Sequence, residues 1–223
     1  MHNLSGNKAR NAIFPIYRIL LYLIIGWMLG CERIFHFRKL QHDALLNRFL
    51  GGCCPQHSLL YKELERLGRL YPQLPAELRT LNQETIRTFL PAALILDLDS
   101  TVETVYGDQA GAAKGTNPHK PGRKSYRPLL AFEGQTRLNL NAVFRPGNTH
   151  SSTDAVHFLR QTFELLGERK VKYARFDEGF GGEDFYSLWK NKGISYVGKL
   201  KWTRRLAEVV GACRYCTRYV DED

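Results

Sequence analysis

Leu94-Ile95-Leu96-Asp97-Leu98-Asp99 is an apolar run that ends in two acids spaced two apart, and Ser100-Thr101 follow it. Such a run reads as a buried strand whose end delivers carboxylates to a site. Carboxylates at the mouth of a core strand are costly to desolvate unless a metal, a basic group or a proton meets them. Phosphoryl transfer through an aspartyl phosphate uses this pattern, and so does two-metal cutting of nucleic acid. A second run, residues 171–176, ends in the same way at Asp177. If the two strands lie side by side and parallel, Asp99 and Asp177 emerge at one edge of a sheet. Hard divalent cations such as Mg²⁺ take oxygen ligands and keep waters, so two or three acids suffice to hold them. Two such ions about 3.5–4 Å apart activate an attacking hydroxyl and stabilise the leaving oxygen of a phosphodiester.

The elements that must position these acids are read from hydrophobic spacing. Residues 13–90 carry apolar side chains at three- and four-residue intervals, with breaks at Gly51-Gly52, Pro55, Pro72 and Pro75, which predicts a small helical region. Within it, residues 57–67 predict a helix capped by Ser58, with a basic exposed side that could lie on DNA. Past Pro91 the texture changes to strands. Residues 94–98 are the first, a polar segment over 107–126 follows, and residues 129–132 and 138–144 predict an antiparallel pair joined by a turn at 133–137. A helix over 153–166 comes next, capped by Ser151 or Ser152, with Ala155, Phe158, Leu159, Thr162, Leu165 and Leu166 on its apolar face. Residues 171–176 form a fourth strand, 183–192 a short helix and 194–197 a fifth strand. The order predicts an α/β mixed sheet with one antiparallel edge.

The chain has 223 residues, enough for one sizeable domain with a smaller helical one, and its 43% hydrophobic content excludes disorder for most of it. A net charge of +10 favours a polyanionic partner, nucleic acid or an acidic membrane surface. Lys114, Lys120, Arg123, Lys124 and Arg127, with Tyr126 among them, are the expected phosphate contacts beside the acidic edge. A solvated loop is the plain alternative for such a Lys/Gly/Pro-rich stretch. The 5 cysteines are an odd, scattered set, which fits a reducing cytosol better than a disulfide framework. Cys213-Arg-Tyr-Cys216 has no second pair or histidine to complete a zinc site. Residues 19–29 are apolar, yet a bilayer needs about 20 such residues, so they predict a core helix and no membrane partner.

Five blocks in order resemble the DDE transposases of bacterial insertion sequences. They are Leu96-Asp97-Leu98-Asp99-Ser100-Thr101-Val102, Asn117-Pro118, Pro128-Leu129-Leu130-Ala131-Phe132, Arg145-Pro146-Gly147-Asn148-Thr149-His150-Ser151-Ser152 and Arg175-Phe176-Asp177-Glu178-Gly179-Phe180. The resemblance implies an RNase H-like mixed sheet with flanking helices, preceded by a small all-helical N-terminal region. It divides the chain into a helical region over 1–90, a catalytic core over 91–205 and a tail over 206–223. Carried onto these positions, it makes Asp99 and Asp177 the catalytic residues and the ligands of Mg²⁺ or Mn²⁺, with Asp97 supporting the site. It also implies terminal inverted repeats and target DNA as partners, a homodimer or a mixed assembly with full-length transposase, and a bacterial cytoplasmic location at the nucleoid.

The family's third ligand is a glutamate in a downstream helix, within a motif of Tyr, Arg, Glu and Lys. Arg204 and Glu208 have the Arg-x-x-x-Glu spacing, but Lys201 and Tyr215 stand where the motif has Tyr and Lys. The expectation is a truncated transposase with defective strand transfer. Two rivals remain. Asp97-x-Asp99-x-Thr101 also resembles the first motif of haloacid-dehalogenase-type phosphatases, with Asp97 as nucleophile, which requires a parallel sheet. A non-catalytic remnant that binds DNA is the other.

Overall fold

The computed structural model of the protein describes residues 4–213, which divide into two compact units between Glu84 and Thr85. The first is helical, with α1 (Ile16–Met28), α2 (Ala44–Phe49), α3 (His57–Gly68) and α4 (Gln73–Ile86). Ile19, Tyr22 and Leu23 lie one helical turn apart and bury against Phe37 and Leu60. Only one stripe of α1 is covered. Trp27 and Met28 are 55% and 81% exposed, so the expected core helix is half solvated at its C-terminal end. No helix among the described residues is long and apolar enough to cross a membrane. α3 begins at His57 and its N-cap, Gln56, makes no side-chain cap bond, so Ser58 is not the cap. Arg66 pairs with the buried Glu63, and on the exposed side Arg69 pairs with Glu65.

The second unit holds β1 (Ala93–Ser100), then three short strands β2 (Glu103–Thr104), β3 (Ala113–Lys114) and β4 (Lys124–Tyr126). After them come β5 (Leu129–Glu133), β6 (Asn139–Val143), α5 (Ala155–Leu166), β7 (Lys170–Phe176), α6 (Glu183–Asn191), β8 (Ser195–Gly198) and α7 (Arg204–Ala212). The main sheet has the order β6-β5-β1-β7-β8. β1 sits at its centre, antiparallel to β5 and parallel to β7. This is the mixed α/β sheet expected from the sequence, and it lacks the all-parallel order that the phosphatase reading requires.

Alternation sets the faces. Leu94, Leu96 and Leu98 are buried in one core with Phe158 and Leu159 of α5 and Phe185 and Trp189 of α6. Each such leucine contributes about 1.5–3 kcal/mol by leaving water. Ile95, Asp97 and Asp99 therefore point to the opposite face. β7 would lose this match without an irregularity. Leu94 pairs with Val171 but Ile95 pairs with Tyr173, so Lys172 is an extra residue. A one-residue slip turns every later side chain over. Here the slip lets both Val171 and Ala174 face the core, and it carries Arg175 and Asp177 onto the face of Asp97 and Asp99.

The segment over 107–126 is not the plain polar loop the sequence suggests. β2, β4 and β3 form a separate three-stranded sheet in that order. Strands of two or three residues are too short to show alternation, and Asn117 does the bracing instead. Its Oδ1 accepts the N–H groups of His119 and Lys120 at 3.2 and 2.9 Å, and its Nδ2 donates to Thr104 Oγ1 at 2.8 Å.

The expected serine cap of α5 is also absent. Its N-cap is Asp154, in a left-handed conformation with no side-chain cap bond. The buried Arg145 holds the preceding turn, donating from Nη1 to His150 O at 3.0 Å and to Thr153 O at 2.6 Å. Ser152 Oγ lies 2.9 Å from His150 Nδ1, a local contact within that turn.

Candidate active site

Leu98 and Phe176 are cross-strand partners, and each is the residue before an aspartate. Asp99 and Asp177 thereby leave neighbouring parallel strands at the same edge. Both are exposed and both line one open cleft of about 700 Å³. Local bonds orient them. Ser100 N–H donates to Asp99 Oδ1 at 2.8 Å, and Gly179 N–H donates to Asp177 Oδ1 at 2.9 Å. Gly179 has a steric reason as well, since a Cβ there would lie 2.9 Å from Ser151 Oγ and 3.0 Å from Asp177 Oδ1.

Asp97 lines the same cleft with a different environment. Arg175, its register partner on β7, donates Nε to Oδ1 and Nη2 to Oδ2, both at 2.6 Å. Its charge and one lone pair on each oxygen are thus engaged within the sheet. Asp99 and Asp177 have no ion-pair partner among the described residues. The donor set that fits a hard divalent ion is therefore Asp99 with Asp177. Among the described residues no group of three His, Cys, Asp or Glu side chains is placed to hold one ion. Glu208 is on α7, paired with Arg204 at 3.1 Å, with its side chain 64% exposed.

Three cations share the cleft, Arg137, Arg175 and Lys199. Spacing alone held a signal for one of them. Arg175 precedes Asp177 by two residues as Asp97 precedes Asp99, so parallel neighbours would set the two pairs side by side. Lys199 follows β8, and its N–H donates to Phe176 O at 3.1 Å, beside the root of Asp177.

The expected DNA contacts separate into groups. Lys114, Arg123 and Lys124 border one depression on the small sheet. Lys124 Nζ is 2.7 Å from Asp108 Oδ1, and the Arg123 guanidinium is 5.7 Å from the Tyr106 ring centre. Lys120 is exposed on the Asn117 turn. Arg127 sits at the junction of the small sheet and β5. It is half-buried, with its N–H and C=O both bonded to Arg145, so its backbone serves the strand junction.

Residues 5–221 match the family described as Transposase DDE domain group 1. The chain belongs to this transposase family. Comparison with curated proteins gave no match. Among solved structures, a piggyBac transposase synaptic complex with hairpin DNA matches with a TM-score of 0.51 at 14% identity, covering 90% of this chain and 45% of that one. The chain thus spans under half the length of that transposase, and the likeness is one of fold. A Mos1 mariner paired-end complex with Mn matches at 12% identity over 90% of this chain and 79% of that one, with a TM-score of 0.34, too low to carry weight. In the transposase family frame, the sheet described above is the RNase H-like core. Its central strand is β1.

Proposed function

We infer that the cleft at the end of β1 and β7 acts on DNA phosphodiesters, with Asp99 and Asp177 as carboxylate ligands of Mg²⁺ or Mn²⁺. The observation that carries this reading is the pairing of two unneutralised aspartates in one open cleft, set by the Leu98–Phe176 register. Bound divalent ions would supply Lewis acidity toward the phosphate and lower the pKa of the attacking hydroxyl. The chain's own part is to fix two carboxylates on rigid strands, spend Asp97 on Arg175 and flank the cleft with positive charge. Family membership and the basic net charge support DNA as the substrate, in particular element ends and target DNA. A dimer or a mixed assembly with a longer transposase belongs to the same reading.

Among the described residues two carboxylates without an ion-pair partner are placed at the cleft, and two hold a hard ion less tightly than three, so weak metal affinity and little or no strand transfer are expected. The test is Mn²⁺ binding followed by electron paramagnetic resonance, alongside nicking of duplex DNA. Asp99→Asn and Asp177→Asn should each remove Mn²⁺ binding. Unchanged binding in both variants overturns the assignment. Efficient Mg²⁺-dependent strand transfer by the wild-type chain would overturn the expected defect while leaving the ligands in place.

A further inference from the structure

The β5–β6 turn is built to hold one side chain at the cleft. Glu133 is fully buried at its centre. Its Oε1 accepts Ile95 N–H at 3.2 Å, and its Oε2 accepts Gln135 N–H, Thr136 N–H and the Thr136 hydroxyl at 2.9, 2.7 and 2.9 Å. Gly134 N–H donates to Ile95 O at 2.8 Å, which ties the turn to β1. The turn closes with Arg137 N–H on Glu133 O at 2.8 Å.

Arg137 has φ of 61°, the left-handed region that glycine or asparagine occupies at least cost. A hairpin closing of this kind asks for glycine at that position. An arginine there is strained, and strain held by an over-determined turn points to use of the side chain. That use is not the ion pair with Asp97. Nη1 lies 3.7 Å from Asp97 Oδ2, an oxygen that Arg175 already meets at 2.6 Å, and the Arg137 side chain is 77% exposed. A pair this long and this exposed contributes almost nothing to stability. Arg137 lines the cleft that Asp99, Asp177 and Lys199 also line, and it brings a guanidinium with five N–H donors there.

We propose that Arg137 is a phosphate contact of the Asp99–Asp177 cleft, held there by the Glu133 turn to grip the backbone of the DNA strand. The inference rests on the reading of that cleft as a DNA-processing site. Once Asp97 is paired with Arg175, the cleft keeps two acids for metal and two cations, Arg137 and Lys199. A planar guanidinium matches two oxygens of one phosphate, which an ammonium does not. Arg137 therefore fixes the strand's position, and Lys199 adds a point charge across the cleft.

Binding of a labelled mixed-sequence duplex of about 20 base pairs, measured between roughly 50 and 200 mM salt, tests this. Arg137→Gly and Arg137→Asn both suit the left-handed backbone and remove the charge. Each should weaken binding several-fold and reduce the slope of log affinity on log salt by about 0.9, one phosphate contact. The melting temperature should stay level or rise, because strain is relieved. A slope equal to wild type in both variants overturns the proposal, as does a fall in melting temperature with unchanged binding, which marks a structural role. Wild-type chain that binds no duplex overturns the DNA-processing reading itself, and the proposal with it.

Discussion

Asp97 and Arg175 face each other in register across β1 and β7 and close a two-pronged ion pair, with both bonds at 2.6 Å. Two residues further along, Asp99 and Asp177 leave the same strands with no ion-pair partner among the described residues. The difference sorts the acids by role. An acid that already accepts a guanidinium fork gives up that partner if it is to bind metal, whereas Asp99 and Asp177 surrender only water and single N–H bonds. The pair also spans the two strands that carry Asp99 and Asp177, so it fixes their relative height at the edge.

Stability and metal binding should therefore separate between neighbouring positions. Asp97→Asn and Arg175→Gln are each expected to lower unfolding stability by about 1 kcal/mol, a figure already discounted because the Arg175 side chain is 50% exposed. Their double-mutant cycle should show coupling of similar size. Asp99→Asn should change stability by less than about 0.5 kcal/mol, as surface substitutions do, while removing Mn²⁺ binding. Urea denaturation with parallel Mn²⁺ titration distinguishes the two patterns, and stability loss at Asp99 with none at Asp97 would reverse the assignment.

Glu133 gives the fold an acid-sensitive joint. Burial pushes its carboxyl pKa up, but the N–H and hydroxyl donors from Thr136, Ile95 and Gln135 outweigh that and hold it below the ordinary carboxylate range. A group whose folded pKa is depressed contributes stability above its unfolded value, about 4.3, and loses it as pH falls through the folded value. Glu133→Gln should thus cost about 2–3 kcal/mol at neutral pH, the worth of bonds to a charged acceptor. The gap to wild type should narrow as pH is lowered below about 4. Urea midpoints measured across that range test the sign, and a gap that widens in acid would refute it.

Much of this architecture was legible because it rests on long periodic segments. β1, β5, β6, β7 and their two packing helices follow apolar spacing that burial requires, and the parallel pairing of two acid-ended strands placed Asp99 beside Asp177. What stayed hidden depends on tertiary contacts. The extra residue at Lys172 has no signature in composition, since only pairing with Ile95 shows that Tyr173 is one position displaced. Arg137 reads as an ordinary turn residue until its backbone and its cleft are seen together. The serines before α5 looked like caps because caps favour hydroxyls, yet the helix starts later, with Asp154 at its N-cap, and the Ser152 hydroxyl is engaged by His150 Nδ1.

Gly179 should be more sensitive than its exposed loop suggests. An added Cβ would press on Ser151 and on Asp177 Oδ1, so Asp177 must turn away or the loop must shift. Gly179→Ala is expected to weaken Mn²⁺ binding by about tenfold, a displacement worth roughly 1.4 kcal/mol. Global stability should change by less than about 1 kcal/mol, because the strain is relieved at an exposed edge. Calorimetric Mn²⁺ titration against a melting curve checks both, and undiminished affinity would show that Asp177 does not need its present orientation.

On the small sheet, the basic residues should not contribute equally to DNA binding. Lys124 spends its charge on Asp108 at 2.7 Å, while Lys114 and Arg123 border the same depression with no acid paired to them among the described residues. A phosphate that recruits Lys124 must first displace Asp108 and then sit near its negative charge. Lys114→Ala and Arg123→Ala should each reduce the salt slope of duplex binding by about 0.9, whereas Lys124→Ala should reduce it less. Asp108→Asn should act in the opposite direction and strengthen binding at low salt, because it releases Lys124 and removes a repelling charge. If Asp108→Asn left affinity unchanged and none of the three cation variants altered the salt slope, this sheet would be a solvated surface rather than a phosphate track.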